Sequence, residues 1–244
     1  IVAGSLSNLS LIDREGNEWS RLEGRGLKVS YRTPLFFRMS PLEPVSEPHL
    51  PVSALTQDAD GTLWMGSTSG VLSCSPNGSI IDTVDVFTPV GIRDKAIIKT
   101  LYLDGKGHLL IGLLSHSVLD YDICTGEVKL LRFASRGVDV HDFVCDSHDS
   151  LWAATEMGIY VRRTNGEFVR DELRNNLLHS QIVRSIGFDV DGNMWVGTIG
   201  DGITILDPQG SLLARVRSQE GLLSDNVSCI FMDGHSVWIG TQGG

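Results

Sequence analysis

Between Asp189 and Asp207 the chain reads D-V-D-G-N-M-W-V-G-T-I-G-D-G-I-T-I-L-D. The apolar run Met194-Trp195-Val196 predicts a strand covered on both faces. Asp191-Gly192 just before it predicts a two-residue hairpin loop, because Gly adopts the positive φ that such loops need. Gly200 and Gly202 allow the next reversal before Ile203, Ile205 and Leu206 begin another strand. The same pattern recurs around Trp64, Leu110, Trp152 and Trp238, and Val2-Ala3-Gly4-Ser5 stands where W-V-G-T stands elsewhere. A period of about 43 residues carrying four short strands is the length of one propeller blade.

Ahead of each copy lies a second regularity: an apolar opener, another apolar residue three later and an acid six later. The sets are Val52-Leu55-Asp58, Ile98-Leu101-Asp104, Val140-Phe143-Asp146, Val183-Ile186-Asp189 and Val227-Ile230-Asp233. They predict the innermost strand of each blade. Residues 20–50 fit least well, because Pro34, Pro41, Pro44, Pro48 and Pro51 crowd the segment and each removes a ladder donor. Helix signals are almost absent. The pattern predicts an all-β chain, a β-propeller of four-stranded antiparallel blades with about five units visible. Residues 1–244 then form one propeller domain with an irregular Pro-rich segment at 20–50, and the repeat phase at both ends suggests a portion of a longer protein.

Composition narrows the class. The 244 residues carry a formal net charge of −10, which argues against a phosphate-binding surface and hence against nucleic acid. No apolar run reaches the roughly 18–20 residues of a membrane-spanning helix. Cys74, Cys124, Cys145 and Cys229 show no metal-ligand spacing and are expected as unpaired thiols, those of Cys145 and Cys229 lying in apolar strands.

The copy V-R-S-I-G-F-D-V-D-G-N-M-W-V-G-T-I-G-D-G-I-T-I-L-D, Val183 to Asp207, resembles the two-component regulator propeller repeat. The resemblance covers nearly the whole chain except residues 20–50. It departs at Leu110, which replaces the Trp, and at Ala153-Ala154, which replace Val/Ile-Gly. The resemblance implies a periplasmic sensor of a hybrid two-component regulator from gut Bacteroidetes, one that recognises an oligosaccharide. It also implies a ring of seven blades, which at this blade length needs about 300 residues.

Candidate chemistry is sparse. D-A-D-G and D-V-D-G start like a calcium loop, but the position of its bidentate Glu holds Ser69 or Gly200, so a hairpin turn and no metal are expected. Trp64, Trp152, Trp195 and Trp238 repeat at one position and read as blade core rather than sugar platforms. The residue after each opener is more informative: Ser53, Lys99, His141, Arg184 and Ser228. Three consecutive copies put a positively chargeable side chain where a packed position favours a small or apolar one. The alternatives are a shared pocket or salt bridges to acids such as Asp94, Asp139 and Asp142. Arg93, Arg136, His179, Glu156 and Asp201 lie in the variable loops that converge at the same mouth.

Glu156 and Asp201 are the only pairing that suggests glycosidase carboxylates, and no G-x-S-x-G, H-E-x-x-H or phosphate loop is present. The expected function is binding, without cofactor or catalysis. A carbohydrate fragment, anionic by the sign of the mouth, would be sensed in the periplasm and relayed to a histidine kinase outside this chain. The expected partners are that oligosaccharide, other propeller and signalling domains of the same protein, and a second protomer. A protein–protein platform is the alternative, a glycan-active hydrolase or lyase a weaker one.

Overall fold

The structure, a computed structural model, describes the backbone of residues 10–12, 18–22, 26–30, 52–67, 70–74, 80–92, 96–114, 117–133, 138–234 and 236–243. Side chains are described from residue 52 onward, apart from those of Leu72, Cys74, Ile80, Ile81 and Ser117. Strands β1 (Ser10–Ile12), β2 (Glu18–Leu22) and β3 (Gly26–Ser30) form an antiparallel three-stranded sheet. Strand pairing thus runs to Ser30 inside the segment expected to be irregular, since no proline interrupts the chain before Pro34. The four prolines from Pro34 to Pro48 lie outside the described residues.

Four antiparallel sheets of four strands follow, each in strict sequence order. The first holds β4 (Val52–Gln57), β5 (Leu63–Ser67), β6 (Gly70–Cys74) and β7 (Ile80–Val84). The second holds β8 (Ile98–Leu103), β9 (His108–Leu113), β10 (Ser117–Asp122) and β11 (Val128–Leu131). The third holds β12 (Val140–Cys145), β13 (Leu151–Thr155), β14 (Gly158–Arg162) and β15 (Phe168–Arg170). The fourth holds β16 (Val183–Phe188), β17 (Met194–Thr198), β18 (Ile203–Leu206) and β19 (Leu212–Val216). A hairpin of β20 (Val227–Asp233) and β21 (Ser236–Thr241) ends the series. The expected all-β propeller is what forms; among the described residues the helices are one short α-helix, α1 (Glu172–Asn175), capped by the Asp171 carboxylate, and two single-turn 3-10 helices at Thr88–Val90 and Ser218–Glu220.

The inner strands β4, β8, β12, β16 and β20 pack in succession, and the apolar core lies between blades rather than within them. Trp64 of the first blade packs with Ile98, Leu101 and Tyr121 of the second. Leu110, in the Trp position of the second blade, packs with Val140 and Phe143 of the third. Trp152 packs with Val183 and Ile186 of the fourth. The glycine two residues after the Trp admits the next blade's opener: a Cβ at Gly66 would stand 2.5 Å from Ile98 Cγ2, and one at Gly197 2.6 Å from Val227 Cγ1. Ala154 fills that place in the third blade and is itself fully buried. Free cysteines are Cys124 and Cys229, both exposed, and Cys145, half-buried; the side chain of Cys74 lies outside the described residues.

The turn between inner and second strands is built on one carboxylate. Asp189 Oδ1 accepts from the N–H of Asp191 (3.0 Å) and of Asn193 (2.8 Å), while Oδ2 accepts from Asn193 Nδ2 (3.0 Å) and Trp195 Nε1 (2.9 Å). Asp58 repeats this with Asp60, Thr62 and Trp64, and Asp146 with His148, Ser150 and Trp152. Burial alone would raise the Asp189 carboxyl, yet these donors outweigh it and hold it below its ordinary value. The loop is wider than the two residues expected. Gly192 N donates to Asp189 O and Asp189 N to Asn193 O, leaving three loop residues with Gly192 at φ 80°. Seating two N–H groups, two residues apart, on one carboxylate oxygen needs that extra residue. In the third blade Asp149 takes the left-handed place at φ 62°, which aspartate tolerates better than most residues.

The tryptophans meet the core expectation unequally. Trp64 and Trp152 are buried, Trp195 half-buried and Trp238 64% exposed. Trp238 is the exception because no further blade covers it among the described residues. Asp189→Ala is expected to cost about 2–3 kcal/mol of unfolding free energy, since it orphans charge-assisted donors including a partly buried indole N–H. Asp104 holds only the N–H groups of Lys106 and His108, its blade having Leu110 in place of Trp. Asp104→Ala is therefore expected to cost about 1 kcal/mol less, a difference that urea-melt midpoints on the two variants would measure.

Candidate functional site: the bulged starts of the inner strands

Every inner strand carries a β-bulge at the same place. Pairing runs from Val52 to Ala54, from Ile98 to Thr100, from Val140 to Asp142, from Val183 to Ser185 and from Val227 to Cys229 while the partner strand advances one residue. The residue skipped is Ser53, Lys99, His141, Arg184 or Ser228. A bulge takes its residue out of the ladder and re-aims its side chain. The basic residues that sequence spacing marks are thus the bulge residues of three consecutive blades.

Two of them touch. Arg184 Nη1 lies 3.3 Å from His141 Nδ1, so the guanidinium donates and the imidazole accepts, which leaves the ring proton on Nε2. Burial, then the charges of Arg184 and Lys99, push His141 down to about 4 against the opposing pull of Asp139. His141 is therefore neutral at pH 7 and adds no charge there. Lys99 is exposed and Arg184 half-buried, and neither has a carboxylate within ion-pair distance among the described residues. Salt bridging to Asp142 is not what forms. Asp142 Oδ2 instead accepts from Ser185 Oγ (2.7 Å) and Ile186 N (3.3 Å). Ser185 Oγ in turn accepts from Ile230 N (3.1 Å), so a hydroxyl relay links three inner strands one or two residues beyond the bulges. Ser53 uses its bulge differently, donating to Ile98 O of the next blade (2.5 Å).

The surrounding loop residues fall into separate groups. Glu156 Oε1 accepts from Asp139 N (3.1 Å), and Glu156 N donates to Asp139 O (3.3 Å), which pins its loop beside His141. His179 and Asp201 come together around Arg217: Arg217 Nη2 lies 2.5 Å from Asp201 Oδ1 and 2.8 Å from His179 Nδ1. Asp201 is buried and offset by that guanidinium, while Glu156 is spent on backbone, so the two are not presented as a catalytic carboxylate pair. Arg217 carries no sequence signal, since it stands just past β19, ahead of the loops that spacing marks. Arg93, Asp94 and Arg136 lie outside the described residues. No three His, Cys, Asp or Glu side chains gather as a metal site among the described residues.

A cleft of about 300 Å³ opens at the opposite end of the blades, between the hairpins of the third and fourth, beside Asp146, His148, Asp189 and Pro208. Arg174 lies 4.6 Å over the Trp152 ring there, so that indole face is already covered.

The half-buried His141 makes folding stability pH-sensitive. The unfolded chain binds its proton near pH 6.5 and the folded chain near 4, so folding stability falls as pH drops through that window. His141→Gln is expected to reduce this slope, read as urea midpoints at pH 7, 5.5 and 4.5; an unchanged slope would place the imidazole in a solvated setting instead.

The sequence model for the two component regulator propeller matches residues 46–69 and 176–200. No curated protein sequence matches the chain. Among solved structures, the extracellular domain of a protein described as a hybrid two component system of B. thetaiotaomicron is 21% identical with a TM-score of 0.69, over 96% of this chain and 31% of that one. A second such domain from that organism is 20% identical with a TM-score of 0.66, over 95% of this chain and 34% of its own. Virginiamycin B lyase from Staphylococcus aureus is 12% identical with a TM-score of 0.63, over 100% of this chain and 80% of the enzyme. The chain spans about a third of the length of the two extracellular domains, and at these identities the likeness is one of fold. Blade architecture and fold likeness agree that the chain is a β-propeller, and its residues 46–69 and 176–200 match the two component regulator propeller repeat.

Proposed function

We propose that this propeller is the ligand-sensing part of an extracytoplasmic hybrid two-component regulator, and that it binds an anionic oligosaccharide fragment at the mouth formed by the bulged inner strands. The observation that carries the reading is the pair Lys99 and Arg184, two cations on equivalent bulges flanking a neutral His141, without carboxylate partners among the described residues of a chain of net charge −10. Such a local reversal of sign suits a uronate or sulfate group. Arg184 can hold an oxyanion with two parallel N–H bonds, Lys99 as a point charge, and His141 through its free Nε2–H. The repeat family and the fold likeness to extracellular domains support the setting.

On this reading the kinase lies outside this chain, as do the further propeller and signalling domains and the homodimer partner. Binding alone moves nothing. The ligand must favour one arrangement of the assembly over another by its difference in affinity, and shifting a population from 1:99 to 99:1 takes about 10⁴-fold. The role is recognition rather than turnover, because Glu156 and Asp201 are engaged by other groups.

Calorimetry against oligosaccharides with and without uronate or sulfate groups tests the reading. Anionic members are expected to bind with an affinity that falls as salt rises. Arg184→Ala and Lys99→Ala are each expected to weaken binding by about tenfold or more and to flatten the salt dependence, with melting temperature unchanged. If both variants bind the same fragment as the parent does, the three bulge residues are structural. Product release from a bound fragment would favour a lyase, and capture of a protein with no response to glycans would favour a docking platform.

A further inference from the structure

In the first four blades, the hairpin joining inner to second strand varies at one place, two residues after the turn aspartate: Asp60, Lys106, His148 and Asp191. Between the second and third blades that place is used. Lys106 Nζ crosses from its own hairpin to Asp149 Oδ2 of the next, 3.0 Å away. Between the third and fourth blades His148 stands where Lys106 stands, and the acids around it have no such partner. Neither Asp191 nor Asp207 has a cation within ion-pair distance among the described residues. Asp191 is exposed, and Asp207 uses one oxygen to accept from Ser211 N (2.7 Å).

The cleft of about 300 Å³ lies at this junction. Its apolar lining is Trp152 and Met194, both buried, with Phe188, Val190 and Pro208. Its acidic lining is Asp146, Asp189, Asp191 and Asp207. Burial opposes the charge of Asp146 as it does that of Asp189, yet the donors of their turns hold both carboxyls below the ordinary value, so both are ionised at neutral pH. Arg174 is the guanidinium beside them, and its charge is already taken by Asp171 Oδ2 at 2.8 Å, while its Nη2 donates to Pro208 O (3.2 Å). The volume stands at the lower end of the range for ligand pockets, which suits one long side chain rather than an oligosaccharide. An apolar lining beside unpaired carboxylates matches a side chain with a methylene stem and a cationic head.

We propose that this cleft docks a lysine of a partner polypeptide, its stem against Phe188, Val190 and Met194 and its ammonium at the Asp191 and Asp207 carboxylates. The contact supplies from outside the kind of pair that Lys106 and Asp149 make within the chain. An exposed ion pair contributes little on its own. What the third and fourth blades add is the apolar lining, which takes the stem out of water along with the charge contact. The cleft is at the opposite end of the blades from Lys99, His141 and Arg184, so it stands or falls independently of the ligand mouth.

NMR on the isotope-labelled 244-residue chain tests it, with acetyl-Ala-Lys-Ala-amide as the probe and acetyl-Ala-norleucine-Ala-amide as its uncharged counterpart. The indole N–H groups of Trp152 and Trp195 donate to Asp146 and Asp189 of the cleft, so their signals report its occupancy. That of Trp64, which donates to Asp58 in the first blade, is the reference. The lysine peptide is expected to shift the first two signals to saturation and leave Trp64 in place, and the norleucine peptide to shift none. Asp191→Asn and Asp207→Asn are each expected to weaken binding by about two- to fivefold, the range of exposed charge pairs, and added salt to weaken it further. His148→Lys provides a cation from the chain itself, as Lys106 does, and is expected to weaken binding more than either. Equal movement of Trp64, saturation by the norleucine peptide, parent-like affinity in both Asn variants, or tighter binding of calcium or putrescine than of the lysine peptide would overturn the inference.

Discussion

The hydrogen bonds that gather on one aspartate carboxylate at the end of each inner strand are the contacts on which the blades depend. In Asp58, Asp146 and Asp189 one oxygen holds the loop N–H groups and the other holds the indole N–H of the Trp six residues on. A single group thereby fixes the reversal of the chain and the orientation of the largest side chain in the second strand. The indole can then lie against the next blade with its one polar atom satisfied, which an apolar interface otherwise penalises. Where Leu110 replaces Trp the same loop is kept by Asp104, and the interface is filled without a polar atom to satisfy.

The scaffold was legible because its determinants are local and repeated. An opener, an acid six residues later and an apolar run with Trp at fixed phase recur at blade length, and each fixes a strand or a turn. Ala154 shows where repetition carries more than a motif match. It departs from glycine, yet it stays small enough at a position that borders the next opener, Val183. The hairpin size was not legible, because D-x-D-G fits two loop lengths and only the seating of two N–H groups on Asp189 selects the longer. Nor was the exposure of Trp238, which depends on what lies beyond its blade rather than on the motif around it.

The candidate site divides in the same way. Spacing singles out Lys99, His141 and Arg184 as equivalent, but the reason for their equivalence, a bulge in every inner strand, leaves no residue signature. Contacts between separate elements were beyond reach of the sequence. Arg217 reaching Asp201 across its own blade and His179 in the loop ahead of it, and Ser185 joining Asp142 to Ile230 across three blades, depend on geometry that no local pattern encodes.

The recurring bulge separates two demands that usually compete. A residue paired in a ladder or packed in a core is constrained by the fold, so altering it for recognition disturbs stability as well. The bulge residue belongs to neither set, while its neighbours on both sides, such as Val183 and Ser185, carry the packing and the cross-strand hydrogen bond. Serine, lysine, histidine and arginine already occupy this place within one chain. On the proposed reading, substitution can re-letter the bulge positions one blade at a time, and the succession of inner strands acts as a fixed typeface with interchangeable characters.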